Sequence, residues 1–446
     1  MGRLFGTDGV RGLAGTELTE DLARRLGRAA VVVLGQHGAG RPMIVVGRDP
    51  RESGEWLEEA LVAGICEAGG DAVLVGVEPT PAIAYLTVDL GASSGVVISA
   101  SHNPPEYNGI KFFASNGMKL PDELEDEIES MLETEDVRPA EPGHARPLEE
   151  GKERYLAHLV GAADASLEGM TVVVDCANGA ASALAPELLR RLGATVQPIN
   201  ADPDGKNINQ ECGALYPEVV AAEVVRLGAD AGVSHDGDAD RALFCDARGV
   251  IVDGDQVLAA CALELSGSGS LAGNTVVTTV MANLGFHKAM REAGIDVVSS
   301  KVGDRYVLED MIRTGAILGG EQSGHVIFRE HATTGDGLLT AARFLSLAAK
   351  RGVSIEQLAS VMRRYPQVLV NIHVRDRDAL AGADAVWAAV RESEAALGDE
   401  GRVLVRASGT EPLVRVMIEA ESEELAAMHA SAVADAVRGS IGVDGN

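Results

Sequence analysis

Ser101 lies in a segment whose residue types suit nucleophilic or phosphoryl-transfer chemistry. The apolar residues 95–98 predict a buried strand, and the following loop, SASHNPP at 99–105, presents hydroxyl groups, a histidine and an asparagine. Asn103 and the two prolines favour a turn over a helix. Because ligands of open α/β sheets bind at the carboxyl ends of strands, Ser101 is a candidate nucleophile or phosphate carrier. A serine that only caps the turn is the alternative.

Three aspartates stand at alternate positions in SHDGDADR, residues 234–241, directly after the apolar residues 229–233. Carboxylates this close repel one another, and a hard dication would relieve the repulsion. A calcium EF-hand needs Gly and Glu at the sixth and twelfth loop positions, where Arg241 and Ala247 stand. The pattern therefore predicts a Mg²⁺ site, with a solvated acidic turn as the alternative. The predicted ligands are Asp236, Asp238 and Asp240.

Two further loops suit the binding of a sugar phosphate. In GGEQSGH, residues 319–325, Glu321 and Ser323 can bond vicinal hydroxyls, and His325 can act as a general acid or base. RASGTEP, residues 406–412, lies between two predicted strands and combines guanidinium, hydroxyl and glycine amide groups that suit a phosphate. The predicted phosphate ligands are Arg406, Ser408, Gly409, Thr410 and Arg415. A structural histidine and a plain hairpin turn are the respective alternatives.

Cations elsewhere in the chain could face an anionic substrate. Arg241 stands beside the aspartates, Lys111 follows the serine loop, and Arg11 lies in the Gly-rich segment FGTDGVRG. Lys301 and Arg305 occur in KVGDRYV. Such local cations matter because the 446 residues include 38 basic and 67 acidic side chains, a net charge of −29. That charge argues against nucleic acid or an anionic membrane as a partner.

The composition indicates an ordinary globular protein of several domains. Apolar residues make up 46% and charged residues 24%, and 446 residues are too many for one core. The five cysteines are scattered without CxxC spacing, which indicates a reducing compartment. The N-terminus does not resemble a signal peptide, and no apolar run reaches membrane-spanning length. We therefore expect a cytoplasmic protein.

The elements that must position these residues follow one repeated plan of strand, polar turn, helix, glycine and strand. The plan occurs at 43–75, 170–199 and 274–299 and predicts βαβ units of an α/β fold. A Pro- and Glu-rich stretch at 134–151 is predicted to be a linker. The C-terminal strands lack the plan and predict an α+β domain. The predicted domains are residues 1–150 with the serine loop, 151–250 with the metal loop, 251–365 with the sugar loop and 366–446 with the phosphate loop.

Five motifs in this order resemble the α-D-phosphohexomutase superfamily from end to end. They are FGTDGVRG, ISASHNPPEYNGIKFF, DGDADR, GEQSGH and RASGTEP. Gln322 in GEQSGH favours the branch that acts on glucosamine phosphates. The resemblance implies three similar α/β domains and a C-terminal α+β domain of the TATA-binding-protein-like type around a central cleft. It also implies interconversion of glucosamine 6-phosphate and glucosamine 1-phosphate, for UDP-N-acetylglucosamine and cell-wall precursor synthesis.

By position in these motifs, the resemblance assigns roles to individual residues. Ser101 would be a phosphoserine whose phosphate joins the three aspartates around Mg²⁺. Glu321 and Ser323 would bind sugar hydroxyls, and the phosphate loop would bind the phosphate that does not react. Arg241, with Lys111, would stabilise the transferring phosphate. The candidates for moving the hydroxyl proton are His325, Lys111 and Arg11, which the sequence does not rank.

The resemblance also implies one Mg²⁺ per chain and a glucose- or glucosamine-bisphosphate as intermediate or activator. The expected partner is a small-molecule sugar phosphate, with no nucleic acid and no membrane, and the chain is expected to be a monomer or a homodimer. Three other functions stay open. They are a phosphoglucomutase or phosphomannomutase of the same superfamily, an aspartate-nucleophile phosphatase built on the DxD at 236–238, and a sugar-phosphate binding protein without activity.

Overall fold

The structure is a computed structural model that describes residues 4–6, 8–37, 40–132, 141–408 and 411–443. The chain divides into two units, one comprising Met1–Met281 and Gly294–Val361 and the other comprising Ala282–Ala293 and Met362–Asn446. Within the described residues, three mixed sheets belong to the first unit and one antiparallel sheet to the second. Among these residues, none of the helices combines the length and the apolar character needed to span a bilayer.

The first sheet carries the serine loop. Its strands are β1 (Val10–Leu13), β2 (Met43–Arg48), β3 (Asp71–Val77), β4 (Ser94–Ile98), β5 (Tyr107–Ala114) and β6 (Ala145–Pro147), in the order β1-β5-β4-β2-β3-β6. Its helices are α1 (Glu20–His37), α2 (Glu52–Glu67), α3 (Thr80–Asp89) and α4 (Asp122–Met131). Strands β3, β2 and β4 are parallel, and all five residues of β4 are buried, as expected of a strand covered on both faces.

The second sheet carries the aspartate loop. Its strands are β7 (Thr171–Asp175), β8 (Thr195–Ile199), β9 (Ala231–His235), β10 (Ala242–Asp246) and β11 (Ile251–Val252), in the order β11-β10-β9-β7-β8. Its helices are α5 (Gly151–Gly161), α6 (Ala185–Arg191) and α7 (Pro217–Leu227). Because β9 is parallel to β7 and antiparallel to β10, the aspartates occupy the turn at the carboxyl end of β9.

The third sheet carries the sugar loop. Its strands are β12 (Thr275–Thr279), β13 (Asp296–Ser300), β14 (Leu318–Gly320) and β15 (Val326–Phe328), in the order β13-β12-β14-β15. The helices of this stretch are α8 (Gly254–Gly267), α9 (Leu284–Glu292), α10 (Asp304–Thr314), α11 (Gly337–Arg351) and α12 (Ile355–Ala359). Gly319 and Gly320 lie within β14 rather than in the predicted loop. A Cβ on Gly320 would approach the His325 carbonyl oxygen to 2.7 Å, so glycine permits this tight hairpin.

The C-terminal unit has its own small core. Strands β16 (Gln367–His373), β17 (Arg402–Ala407) and β18 (Leu413–Glu419) form an antiparallel sheet in the order β16-β18-β17. Helices α13 (Asp384–Leu397) and α14 (Glu423–Ile441) cover it. Buried residues from both helices and the sheet, including Val386, Val416 and Val433, pack together. The unit is α+β, as the sequence predicts.

Helix α9 belongs to the C-terminal unit, although it lies in the crossover between β12 and β13. The side chain of Asn283 caps this helix at Gly285 and exchanges hydrogen bonds with the backbone N–H and C=O of Tyr365, at 2.9 and 3.0 Å. It also donates to Glu419 at 3.1 Å. A Cβ on Gly285 would collide with the carbonyl oxygen of Arg363. The hydrogen bonds of the Asn283 amide hold α9 in this unit, and the lack of a side chain at Gly285 allows the close approach.

One predicted linker is partly a strand. The sequence predicts a linker at 134–151, yet Ala145–Pro147 pairs in parallel with β3, and α5 begins at Gly151. The pairing uses backbone bonds, such as that from the Ala72 N–H to the His144 carbonyl at 2.9 Å, and β6 itself is exposed. Backbone pairing at an edge needs no apolar pattern, so composition conceals it. The linker prediction is wrong for this part, and the four domain boundaries stay predictions.

Helices α1 and α2 pack closely because glycines lie between them. A Cβ on Gly64 of α2 would collide with the Arg24 carbonyl of α1, and a Cβ on Gly27 would collide with the Leu61 carbonyl. We expect Gly64→Ala to lower the free energy of unfolding by about 1–3 kcal/mol, since the helices must separate to admit the methyl group. Urea denaturation measures this loss.

Gly35→Ala is the matched control. Gly35 lies in α1, is exposed, and its added Cβ would come no closer than 3.8 Å, to Pro42 Cγ. Helix propensity then dominates, and the free energy of unfolding should rise by up to about 1 kcal/mol. Equal effects of the two substitutions would contradict the packing argument.

Candidate active site

Ser101 is buried beside the aspartate loop. It follows β4 and is 3% exposed, and its hydroxyl donates to Oδ2 of Asp236 at 2.8 Å. Its backbone has φ +50°, a left-handed conformation that costs a non-glycine residue about 1 kcal/mol or more. Because the hydroxyl bonds a carboxylate of another sheet, the capping alternative does not describe this serine. Strain of this kind in a buried loop points to a functional role.

The three predicted metal ligands lie together after β9. One carboxylate oxygen from each of Asp236, Asp238 and Asp240 lies within 4.8 Å of the others, and all three residues are buried. Within the part of the chain that the structure describes, Oδ1 of Asp238 and Oδ1 of Asp240 have no hydrogen-bond partner. Unpartnered, buried carboxylate oxygens at this spacing form the donor set of a hard divalent cation. The residues present therefore fit such an ion.

Burial and mutual repulsion shift the titration of these carboxyls. Burial, followed by the charge of Asp240, raises the pKa of Asp236 to about 6, and the same influences hold the pKa of Asp238 well above its ordinary value. Burial also acts to raise the pKa of Asp240, but His325 and Arg241 outweigh it and lower that pKa. A bound cation would offset the repulsion that makes three charges here unfavourable.

Thr80 orients one of these ligands, although its sequence context did not predict this role. Its Oγ1 donates to Oδ2 of Asp238 at 2.6 Å, and its N–H donates to the Asp238 carbonyl at 3.0 Å. Thr80 is fully buried at the start of α3, directly after β3. Partners of this kind orient a metal-binding carboxylate. The available signal was only that Thr80 follows the carboxyl end of a strand.

Cations surround Ser101 in a cavity of about 180 Å³. The predicted residues that line it are Arg11, Ser101, Lys111, Asp238, Asp240, Arg241, Glu321 and His325. The Nζ of Lys111 lies 3.8 Å from Oδ1 of Asp8 and 3.7 Å from Oδ2 of Asp304. Burial acts to lower the pKa of Lys111, yet Asp304 and Asp8 raise it overall. Lys111 therefore presents an ammonium group to the cavity.

His325 is held by an aspartate and a backbone amide. Its Nδ1 lies 3.4 Å from Oδ2 of Asp240, and the Gly335 N–H donates to its Nε2 at 3.0 Å. Burial acts to lower the pKa of His325, whereas the carboxylate of Asp240 acts to raise it. The hydrogen bond at Nε2 opposes the effect of Asp240 on this pKa, because a protonated Nε2 could not accept the bond from the Gly335 N–H. The geometry favours a neutral ring with its proton on Nδ1, toward Asp240.

Of its two predicted sugar ligands, the sugar loop brings only Glu321 to the cavity. Glu321 lines the cavity, and its Oε1 accepts a bond from the Gly303 N–H at 3.0 Å. Ser323 does not line the cavity, and its buried Oγ has no hydrogen-bond partner among the described residues. The amide of Gln322 lies 3.4 Å from Oδ2 of Asp253, away from the cavity lining.

Arg406 and Arg415 face each other in the C-terminal unit. Arg406 lies on β17, not in a loop as predicted, directly opposite Arg415 on β18. Burial, followed by the charge of Arg415, lowers the pKa of Arg406. Opposed like charges are unfavourable on a sheet, and an anion would relieve them. The Ser408 hydroxyl accepts a bond from the Glu411 N–H at 3.3 Å. Gly409 and Thr410 lie outside the described residues.

Two predicted cations do not line the cavity. Arg305 is bound by Asp122 at 2.5 Å and Glu309 at 2.7 Å. The Nζ of Lys301 lies 5.6 Å from the ring centroid of Tyr306. The lining residues with polar side chains that were not predicted from the sequence are Asp8, Ser99, His102 and Asp304. Each of these residues lies in a segment that contains a predicted site residue, so its closeness in sequence to that residue could have predicted it.

Four models of one family cover the chain in order. The phosphoglucomutase/phosphomannomutase alpha/beta/alpha domains I, II and III match residues 2–138, 153–249 and 253–365. The C-terminal domain of the same family matches residues 369–436. These matches confirm the predicted fold class of three α/β domains and one distinct C-terminal domain.

The chain is similar over its length to curated proteins named phosphoglucosamine mutase. It is 54% identical over 430 residues to that of Desulforudis audaxviator, covering 95% of each chain. It is 53% identical over 448 residues to that of Thermobifida fusca, covering 100% of each chain.

Solved structures show the same architecture. A phosphoglucomutase/phosphomannomutase family protein from Burkholderia thailandensis matches with a TM-score of 0.83 and 27% identity, covering 98% of this chain and 97% of that one. An Aspergillus fumigatus N-acetylphosphoglucosamine mutase, crystallised with GlcNAc-6P and magnesium, matches with a TM-score of 0.72 and 20% identity, covering 98% and 96%. The second match concerns the fold alone.

We expect Thr80→Val to weaken divalent-cation binding about tenfold, because valine keeps the volume of threonine but cannot donate to Asp238. Isothermal titration with Mg²⁺ measures the affinity. Thr87→Val is the matched control, since Thr87 is buried in the same helix and its hydroxyl donates to the Ile83 carbonyl at 2.7 Å. The control should bind Mg²⁺ as the unmodified chain does. Equal affinities of both variants would contradict the role of Thr80.

Proposed function

The chain belongs to the phosphoglucomutase/phosphomannomutase family, and we propose that it acts as a phosphoglucosamine mutase, interconverting glucosamine 6-phosphate and glucosamine 1-phosphate. The observation that carries the proposal is the Ser101 hydroxyl, bonded to Asp236 at 2.8 Å within a buried set of metal-type ligands. Relatives of that name match the whole chain at more than half identity, which supports the substrate. The product would supply UDP-N-acetylglucosamine and cell-wall precursor synthesis.

The proposed reaction is a phosphoryl exchange through Ser101, which carries a phosphate in the active form. The C1 hydroxyl of glucosamine 6-phosphate loses its proton and attacks this phosphorus. The P–O bond to Ser101 breaks, Oγ gains a proton, and glucosamine 1,6-bisphosphate forms. After the bisphosphate reorients, the Ser101 hydroxyl loses its proton and attacks the phosphorus of the 6-phosphate. The bond from that phosphorus to O6 breaks, O6 gains a proton, and glucosamine 1-phosphate leaves the restored phosphoserine. Such transfers depend on positioning and charge neutralisation.

The aspartate loop would hold the cofactor of this reaction. Asp236, Asp238 and Asp240 would bind one Mg²⁺, with the phosphate on Ser101 as a further ligand. When bound, the ion neutralises a phosphoryl group that carries roughly −1.5 to −2 charges at neutral pH. The part played by the chain itself is to hold three carboxylates together and to fix Asp238 through Thr80.

The cavity cations would stabilise charge on the transferring group. Arg241 and Lys111 would neutralise the phosphoryl oxygens, and Arg11 lines the same cavity 3.5 Å from Asp8. We infer that the Lys111 ammonium donates the proton to the departing oxygen. His325 would orient Asp240 instead, because both of its ring nitrogens are engaged.

Substrate binding would use two sets of residues. Glu321 would accept bonds from sugar hydroxyls within the cavity, with Ser323 as the second predicted ligand. The phosphate that is not transferred would be bound by Arg406, Ser408 and Arg415, together with Gly409 and Thr410. The support for this assignment is the pair of arginines that face each other across β17 and β18.

Other parts of the proposal concern the working state of the chain. We propose that a glucose- or glucosamine-bisphosphate serves as activator or intermediate, and that the enzyme works in the cytoplasm as a monomer or homodimer. We also propose domain divisions at residues 1–150, 151–250, 251–365 and 366–446.

The first test replaces the serine. We expect Ser101→Ala to lower mutase kcat by about three orders of magnitude or more, because no other group can carry the phosphate. Ser94→Ala is the control, since Ser94 is buried on β4, the strand that precedes the serine loop, and donates to the Phe113 carbonyl at 2.7 Å. Phosphopeptide analysis should find phosphate on Ser101 in the unmodified chain. Full mutase activity of Ser101→Ala would overturn the proposed role of Ser101.

The second test compares substrates. We expect kcat/KM for glucosamine 6-phosphate to exceed that for the 6-phosphates of glucose and mannose about tenfold or more. The physical reason is the amino group, which is cationic at neutral pH and favoured by the carboxylates of Asp8, Asp304 and Glu321 around the cavity. Initial rates on the three substrates measure this preference. A clear preference for glucose 6-phosphate would instead identify a phosphoglucomutase.

A further inference from the structure

Arg51 and Asn209 bind the same two carbonyl groups of the serine loop. Nη2 of Arg51 donates to the carbonyls of Ser101 and Asn103, at 2.9 and 2.8 Å. Nδ2 of Asn209 donates to the same two carbonyls, at 2.8 and 3.2 Å. Arg51 follows β2 of the first sheet, whereas Asn209 lies between β8 and β9 of the second. The serine loop is therefore held from two sheets at one point.

Arg51 is 0% exposed, and its guanidinium group is used almost entirely on this loop. In addition to the two bonds above, Nη1 donates to the carbonyls of Pro104 and Tyr107, and Nε donates to Asp49 at 2.9 Å. A buried charge is costly unless its donors are all satisfied. Three carbonyls of the serine loop, the carbonyl of Tyr107 at the start of β5 and one carboxylate satisfy this one.

A second chain of bonds reaches the amide of Ser101. Oδ2 of Asp49, which binds Arg51, accepts a bond from the Ser99 hydroxyl at 2.5 Å. The Oγ of Ser99 in turn accepts the Ser101 N–H at 2.9 Å. The Ser101 carbonyl thus accepts a hydrogen bond directly from Arg51, and the Ser101 N–H is linked to Arg51 through Ser99 and Asp49.

Asn209 can reach the serine loop because Gly237 has no side chain to occupy the space between them. A Cβ on Gly237 would lie 2.6 Å from the Ser101 carbonyl oxygen and 2.8 Å from Nδ2 of Asn209. Asn209 itself is 8% exposed and has φ +58°. Neither Arg51 nor Asn209 lines the cavity around Ser101.

We propose that Arg51 and Asn209 are positioning residues, which hold Ser101 in its left-handed conformation with the hydroxyl against Asp236. This inference rests on the proposed mutase function. Without these donors, Ser101 relaxes to an ordinary backbone conformation and its Oγ moves from the aspartate loop. A misplacement of about 1 Å lowers a rate about a hundredfold. Because neither residue contacts the cavity, the loss falls on kcat and not on KM.

Asn209→Ala tests the proposal. We expect kcat with glucosamine 6-phosphate to fall about tenfold to a hundredfold, with KM unchanged within about twofold. The rate at which glucose 1,6-bisphosphate phosphorylates Ser101, followed by intact mass, should fall in parallel. Asn274→Ala is the matched control, because Asn274 also has a left-handed backbone, φ +47°, and its amide donates to the Gly294 carbonyl at 2.7 Å. The control should keep the unmodified kcat.

Arg51→Lys adds a second variant that retains the charge but loses the planar fork, and its kcat should fall at least as far as that of Asn209→Ala. Thermal melts show whether it folds, and Asn209→Ala decides the question if it does not. The proposal is overturned by a kcat of Asn209→Ala equal to that of Asn274→Ala, or by a loss that appears in KM. An unmodified chain that neither isomerises glucosamine 6-phosphate nor becomes phosphorylated overturns the proposed function, and this inference with it.

Discussion

The mutual repulsion of three buried carboxylates is the constraint on which the rest of the site depends. Asp236, Asp238 and Asp240 lie within reach of one ion, and burial together with their mutual repulsion raises the pKa of Asp236 and of Asp238. The chain surrounds them with donors and cations: the Ser101 hydroxyl, the Thr80 hydroxyl, the Arg241 guanidinium and the His325 ring. These groups come from loops beside three different sheets. The repulsion within the aspartate loop is thus balanced by residues that come from all three sheets of the first unit.

The strained backbone of the serine can be compared with the bonds that maintain it. A left-handed serine costs about 1–3 kcal/mol. Against this stand the four hydrogen bonds from Arg51 and Asn209 to the Ser101 and Asn103 carbonyls, each contributing about 0.5–1.5 kcal/mol net. Together these bonds are at least comparable in free energy to the strain. The conformation is maintained by neighbours in two sheets, and no local preference of the SASHNPP segment would produce it.

The sequence predicted the family, the fold class and most of the cavity lining. It succeeded because the reactive residues follow apolar strands, and strand ends in one sheet converge. Arg51 and Asn209 could not be predicted in the same way. The segment GRDPR, which contains Arg51, has the composition of an ordinary turn, and the role of Asn209 depends on its hydrogen bonds to a loop of another sheet. Ser323 was chosen for a residue type suited to sugar, but it does not line the cavity, so its predicted role stays a prediction. Strand β6 escaped notice because edge pairing uses only the backbone.

The discontinuous C-terminal unit has a consequence for how the chain is made. Helix α9 is synthesised as part of the third sheet's crossover, long before Tyr365 and Glu419, to which its cap residue Asn283 binds. During translation, this helix leaves the ribosome before the strands and helices of the C-terminal unit, which follow Val361, have been synthesised. The C-terminal unit is therefore not one continuous segment of the chain. It is complete only when α9, which precedes β13, is joined by the strands and helices that follow Val361.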